Sequence, residues 1–189
     1  KSKNINFIIS DFKNNRKKNY IMICVIMDNG TKTLSKLIEK SIPFLKYIKN
    51  VFFYVGIKNF NEKIKNEIAN SKNIIPIYGL RKIHHTIPIS DFVIARAGFN
   101  TISETLILKK PSIFFNEIKN EETSHNIKML RELKIISIIK KNDWGKNIIN
   151  RIRYFINFEK KALEKRITKG NFLSNGADQA VNYILKDLS

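Results

Sequence analysis

The stretch from Ser90 to Asn126 constrains this chain more than any other. Asp91 is followed by four apolar residues, Phe92-Val93-Ile94-Ala95. A continuous apolar run ahead of a glycine suits a strand buried on both faces. Arg96-Ala97-Gly98 breaks the run, and Thr101-Ile102-Ser103-Glu104 has the form of a capping box. That pattern predicts a helix with Thr101 as its N-cap. The helix turns Ile102 and Leu106 inward and ends near Lys109-Lys110, ahead of Pro111. Ser112 to Phe115 is then a second apolar strand. In an open parallel sheet such a strand–turn–helix junction lies at the carboxyl edge, where ligands bind. The helix start there presents free N–H groups and a positive dipole end to an anion.

The same alternation runs through the chain. Tyr20 to Met27 is an apolar strand broken by Asp28-Asn29-Gly30-Thr31. From Thr33 the period becomes helical, with Leu34, Leu37, Ile38, Ser41, Ile42, Leu45 and Ile48 on one face. Pro43 is expected to end or kink that helix. Val51 to Val55 is a strand, Asn61 to Asn70 a short polar helix, and Ile74 to Tyr78 a strand interrupted by Pro76. Beyond the central unit, Thr123 to Leu133 is an amphipathic helix and Ile135 to Ile139 a strand. Helices follow from Trp144 or Gly145 to about Phe158, from Glu159 to Thr168 and from Ala177 to Leu188, with a loop at 170–176. About six strand–helix alternations argue for an α/β, doubly wound, Rossmann-like parallel sheet with Met22 to Met27 and Phe92 to Ala95 near its centre. Residues 1–19 form an incoming segment or linker, and residues 20–189 one domain.

At 189 residues the chain is long enough for one such domain with a full core. No apolar run approaches the ~20 residues of a membrane span. The chain opens at Lys1 without a signal pattern, so further sequence upstream is expected. Its single cysteine, Cys24, lies in an apolar run and is read as a small core hydrophobe, which agrees with a cytoplasmic location. The net charge of +19 invites a nucleic-acid reading. Yet the cations are mostly lysines spread through every segment, and no zinc spacing, RNP-like motif or helix-turn-helix accompanies them. Nucleic acid is disfavoured as the main partner, while attraction to phosphates or to an anionic membrane face remains physically sound.

Residue by residue, the central stretch resembles the C-terminal, donor-binding domain of the GT-B glycosyltransferases related to the bacterial lipid II N-acetylglucosaminyltransferase. That family shows Ala-Asp, an apolar strand, Arg-Ser/Ala-Gly, two variable residues, Thr, two more, then Glu. Here the pattern reads Ser90-Asp91, Phe92 to Ala95, Arg96-Ala97-Gly98, Phe99-Asn100, Thr101, Ile102-Ser103, Glu104, followed by a Lys110-Pro111 turn. Asn175-Gly176-Ala177-Asp178 is similar to the family's terminal Gly-Ala stretch. The resemblance runs from about Tyr20 to Leu188, a whole donor-binding half.

The resemblance implies a nucleotide-sugar site, with a UDP-sugar as donor and no further cofactor. Gly30 and Thr31 align with the end of the family's glycine-rich loop, whose earlier glycines fall here on Ile26 and Met27, while Asp28 replaces a small hydroxyl residue. Gly98, Phe99, Asn100 and Thr101 are placed at the pyrophosphate, with Arg96 either neutralising phosphate or bracing the loop through Asp91. Glu104 is placed on the ribose hydroxyls, because a carboxylate accepts from two vicinal hydroxyls at once. Tyr78 aligns with a turn that holds uracil. Asn126 matches an Asn near the donor sugar, but the Gln that precedes it in the family is replaced by Glu122 and Thr123, which are left to bind sugar hydroxyls. Each has a plainer reading: an Asn-Gly turn at Gly30, a core Tyr78, a helix cap at Thr101 and Glu104, and a Thr123 or Ser124 N-cap. His84-His85 has no third ligand at metal spacing, so no metal is expected.

No Ser/His/Asp or Cys/His arrangement supplies an independent active site. The expectation is therefore the donor half of a glycosyltransferase of cell-envelope or surface glycoconjugate synthesis. Its partners are a nucleotide sugar, an acceptor-binding domain or subunit, and an anionic membrane face touched from the cytoplasmic side. Two alternatives stand beside it. One is a nucleotide-sugar hydrolase of the pseudaminic-acid type, suggested by Asp28 to Ser35. The other is a non-catalytic nucleotide-sugar-binding module, suggested by the departures from the family pattern.

Overall fold

A computed structural model describes residues 20–26, 32–57, 60–78, 85–115 and 120–170, with the side chains of 32–35, 57 and 78 outside the description. Among the described residues six strands form one sheet: β1 (Ile21–Val25), β2 (Val51–Ile57), β3 (Ile74–Tyr78), β4 (Phe92–Arg96), β5 (Ser112–Phe115) and β6 (Ser137–Ile139). Their order is β3-β2-β1-β4-β5-β6 and every described pairing is parallel. The two runs expected at the centre are adjacent there, Ile23 opposite Phe92 and Val25 opposite Ile94. Both are buried on both faces, as continuous apolar runs in a parallel sheet require.

Asp91 fixes β4 against β1 from the amino edge. Its N–H donates to the Met22 carbonyl at 2.7 Å, and its Oδ2 accepts from the Met22 N–H at 2.8 Å. Arg96 ends β4 five residues on, roughly 16 Å along the strand. Asp91 therefore braces β1 and not Arg96, which corrects one of the two roles expected for that arginine.

Helices α1 (Lys32–Leu45), α2 (Glu62–Ala69), α3 (Phe99–Ile107) and α4 (Glu121–Glu132) connect the strands. Leu37, Ile38, Ser41, Ile42 and Leu45 of α1 are buried, on the spacing read from the sequence. Pro43 does not end this helix, which continues to Leu45. It sits in the last turn, so only one internal hydrogen bond is lost. The Ser41 hydroxyl donates to the Leu37 carbonyl and accepts the Gly145 N–H at 2.9 Å, stapling α1 to the distant C-terminal segment.

Pro76 likewise does not interrupt β3, which runs unbroken along one edge of the sheet. The Phe53 N–H takes the Asn73 carbonyl at 2.8 Å. In a parallel ladder, residues 73, 75 and 77 thus turn their backbone groups to β2, and Pro76 turns its missing donor outward, away from β2 and toward the edge of the sheet formed by the described residues.

After β6 come two short 3₁₀ turns, Lys141–Asp143 and Gly145–Asn147, then α5 (Ile148–Tyr154), a π turn (Phe155–Glu159) and α6 (Lys160–Lys169). The sequence predicts two helices here, one ending near Phe158 and the next running from Glu159 to Thr168. The chain instead passes directly from α5 through the π turn into α6. Phe155 and Leu163, both buried, are eight residues apart rather than seven. One extra residue in the wide turn keeps them on one face. It also brings Glu159 back over Arg151, whose Nη2 donates to Glu159 Oε2 at 2.9 Å. Ser137 Oγ joins the same carboxylate at 2.6 Å, tying β6 to this segment. The expected helix 177–188 and the incoming segment 1–19 lie outside the described residues.

Candidate functional site

The strand order reverses between β1 and β4: the chain moves outward from β1 to β3, then returns to the other side of β1 as β4. At such a switch point the loops leave in opposite directions and open a crevice at the carboxyl edge. Its floor is the end of β1, where the Ile26 N–H donates to the Ile94 carbonyl at 2.9 Å. One wall is the Ala97-Gly98 loop and the first turn of α3.

Gly98, not Thr101, is the N-cap of α3. This corrects the expected capping box: Thr101 already stands in the first turn, and Phe99 and Asn100 precede it in the helix. Gly98 has φ −78°, open to any residue, so backbone geometry does not demand glycine here. A Cβ built at Gly98 would lie 3.6 Å from Arg96 Nη2. The guanidinium of Arg96 thus lies beside the mouth of α3. A formal positive charge and the positive end of a helix dipole converge on one point, which is an arrangement for an anion.

Helix α4 packs beside α3 on the same wall. Asn120 is its N-cap, accepting the Thr123 N–H on Oδ1 at 3.0 Å, which corrects the expected Thr123 or Ser124 cap. Thr123 is fully buried and its hydroxyl donates to the Asn120 carbonyl, so it faces away from solvent. Asn126 Nδ2 donates to the Ala97 carbonyl at 3.0 Å and clamps α4 onto the β4–α3 loop. Glu122, in the first turn of α4, reaches across: its Oε1 accepts the Phe99 N–H at 3.2 Å. A carboxylate of this chain therefore already lies at the α3 mouth. The sequence offered no sign of this pair, whose members are 23 residues apart and meet only because α4 packs beside α3.

Glu104 stands one turn further along α3, half-buried. Beyond the effect of burial, its negative charge adds slightly to the rise of the Cys24 thiol on β1. Burial pushes the Cys24 thiol up to about 12, against the hydrogen bond it shares with Thr86 at 3.0 Å. Tyr78 ends β3 at the same edge, two strand positions and roughly 10 Å from β1. The structure so gathers Arg96, Gly98, Phe99, Asn100 and Thr101 at the start of α3, with Glu122 and Asn126 bonded to this region from α4 and Glu104 one turn along the helix. Gly30, Thr31 and Asp28 lie outside the described residues, as does His84, while His85 is exposed in a turn. Among the described residues no three His, Cys, Asp or Glu side chains are placed to hold a metal, and no helix is long and apolar enough to cross a membrane.

The model of the glycosyltransferase family 28 C-terminal domain matches residues 28–180. This chain belongs to that family. Among curated relatives it is 27% identical over 182 residues to the UDP-N-acetylglucosamine--N-acetylmuramyl-(pentapeptide) pyrophosphoryl-undecaprenol N-acetylglucosamine transferase of Prochlorococcus marinus (strain MIT 9312), covering 88% of this chain and 50% of that protein. In structure it is similar to MurG of Acinetobacter baumannii, with a TM-score of 0.65 at 16% identity over 93% of this chain and 53% of the other. It is also similar to the calicheamicin glycosyltransferase CalG4, with a TM-score of 0.68 at 12% identity over 90% of this chain and 45% of the other. The fold is that of one half of a GT-B glycosyltransferase. The chain spans about half the length of the curated relatives it matches.

Proposed function

We propose that this family 28 domain is the nucleotide-sugar half of a glycosyltransferase of cell-envelope or surface glycoconjugate synthesis, and that its donor is a UDP-sugar. The observation that carries this reading is the position of Arg96 beside the α3 N-terminus at the β1–β4 switch point. The diphosphate lies at that mouth, with Gly30 and Thr31 of the segment between β1 and α1 contributing to it. Glu104 takes the ribose hydroxyls, Tyr78 borders the base, and Glu122 turns to the sugar. The donor-binding domain begins near Tyr20.

The reaction displaces the diphosphate from the sugar. As that bond breaks, negative charge grows on the leaving phosphate, and the α3 N–H groups with Arg96 stabilise it. The acceptor must lose a proton, and its base comes from an acceptor-binding half on the same polypeptide or on a second subunit. The domain works at the cytoplasmic face of an anionic membrane.

One observation favours a second reading, a non-catalytic binding module that has lost donor affinity. Glu122 at the α3 mouth opposes a diphosphate. Calorimetric titration of the 189-residue chain with UDP-, CMP- and GDP-sugars, together with product analysis without acceptor, tests both. Weak binding confined to uridine nucleotides, without turnover, is expected. Binding of none of them overturns the donor half, and transfer or hydrolysis by this chain alone overturns the need for an acceptor half. Hydrolysis would instead favour the hydrolase reading that rests on Asp28 to Ser35.

A further inference from the structure

The segment Ile148–Lys169 is amphipathic in an unusual way. Ile148, Ile152, Phe155, Leu163 and Ile167 pack into the core. The opposite face carries two large exposed rings, Tyr154 at 53% and Phe158 at 70%. Exposed aromatics of this size, next to one another, are what a surface that meets an apolar partner shows. The rings lie 5.1 Å apart at 38°, and the Arg151 guanidinium sits 5.7 Å from the Tyr154 ring, so the pair is held in place.

The exposed charges of this segment are one-sided. Glu159 and Glu164, the two carboxylates of this segment, are each taken by a cation within it: Arg151 at 2.9 Å and Lys160 at 2.6 Å. Arg153, Lys161, Lys165, Arg166 and Lys169 add five exposed positive charges that these carboxylates do not answer. Arg166 also donates to the Lys134 carbonyl and keeps its charge. Two exposed rings on a segment whose unanswered exposed charges are all positive fit a layer that is anionic outside and apolar beneath.

We propose that the solvent face of Ile148–Lys169 docks this domain on an anionic lipid bilayer, with the Tyr154 and Phe158 rings entering the headgroup layer and the basic side chains binding lipid phosphates. Single-stranded nucleic acid is the other polyanion that takes aromatic and basic groups together. It favours a groove with ring faces open to bases. Here the rings stand on the exposed side of a helical segment, and each already packs against the other at 5.1 Å. The inference gives a surface to the membrane contact proposed above and does not depend on the donor site.

The test uses the full chain without nucleotide, in co-sedimentation with vesicles of phosphatidylcholine alone or mixed with phosphatidylglycerol. The parent is expected to sediment with the mixed vesicles only. A chain of net charge +19 binds anionic vesicles weakly through any face, so the decisive comparison is by position. Tyr154→Ser with Phe158→Ser, which removes no charge, should weaken binding about fivefold or more, while Tyr47→Ser, at an exposed tyrosine elsewhere, leaves it unchanged. Lys161→Glu with Lys165→Glu should weaken it more than Lys49→Glu with Lys63→Glu, an equal charge change at other exposed sites. Parent binding that survives the ring variants, or reversals that act equally at both places, would overturn the proposal. So would tighter binding of oligouridylate than of vesicles, with the ring variants losing it.

Discussion

Glu122 Oε1 and the Phe99 N–H meet at 3.2 Å across the mouth of α3. The contact puts a carboxylate where the proposed diphosphate arrives, so the two compete. Glu122→Gln keeps an acceptor for Phe99 and removes the repulsion. We expect UDP to bind more tightly by about 1 kcal/mol, roughly fivefold in Kd, with melting changed by less than about 0.5 kcal/mol. Titration with UDP and with UDP-N-acetylglucosamine separates two roles. If Glu122 also holds sugar hydroxyls, the gain will be smaller for the sugar nucleotide. A loss of UDP affinity would show that Glu122 does not compete for the α3 mouth.

Thr101 and Glu104 should now respond differently from a capping pair. With Gly98 as the N-cap, Thr101→Ala removes no cap and should cost less than the ~1 kcal/mol typical of cap loss. Glu104→Gln should weaken UDP binding by about 1 kcal/mol, as charge-assisted bonds from ribose become neutral, and leave stability almost unchanged. Thermal melting and nucleotide titration of both variants check this. Unchanged affinity in Glu104→Gln, with the parent binding UDP, would remove Glu104 from the site.

Asn126 is expected to matter through the loop it holds. Asn126→Ala deletes the bond to the Ala97 carbonyl and should cost about 1 kcal/mol of stability. The α3 mouth would lose its support from α4, so UDP affinity should fall as well. Urea unfolding and calorimetry read the two effects, and a stability loss without any change in affinity would limit Asn126 to packing.

Cys24 gives a pH dependence with a definite sign. Its thiol is raised from 9.0 to about 12, chiefly by burial. The folded chain therefore holds this proton to higher pH than the unfolded one. The contribution is fully present below about pH 9 and is lost as pH rises toward 12, at no more than about 1.4 kcal/mol per pH unit. Cys24→Ala should be less stable than the parent at neutral pH, and the gap should narrow above pH 9. Urea unfolding of both proteins from pH 7 to alkaline pH measures it; a constant gap would contradict it.

The strands were legible because a parallel sheet buries both faces of its central strands, and Met22 to Val25 and Phe92 to Ala95 are continuous apolar runs. Helix periods were legible for the same reason, as at Leu37, Ile38, Ile42 and Leu45. Boundaries were not. Thr-x-x-Glu has the same form at a cap and one turn inside a helix, and only the backbone at Gly98 distinguishes them. Nor was the π turn legible, since an eight-residue spacing such as that of Phe155 and Leu163 also occurs on one face of a plain α-helix. The motif residues from Arg96 to Glu104 were visible as a set. That Arg96 lies beside Gly98, that Asn126 clamps Ala97 and that Glu122 meets Phe99 depend on contacts between elements, which no local pattern encodes.

Pro76 bears on how copies of this domain behave toward one another. A strand at the rim of a sheet offers outward N–H and carbonyl groups that a foreign strand can read as a template. Midway along β3 that template has a missing rung, because the outward-facing position is a proline without an N–H. A second sheet approaching this flank finds no unbroken row of donors. The residue that breaks the strand pattern in the sequence thus helps keep the sheet finite, and leaves association to the loops and helices around it.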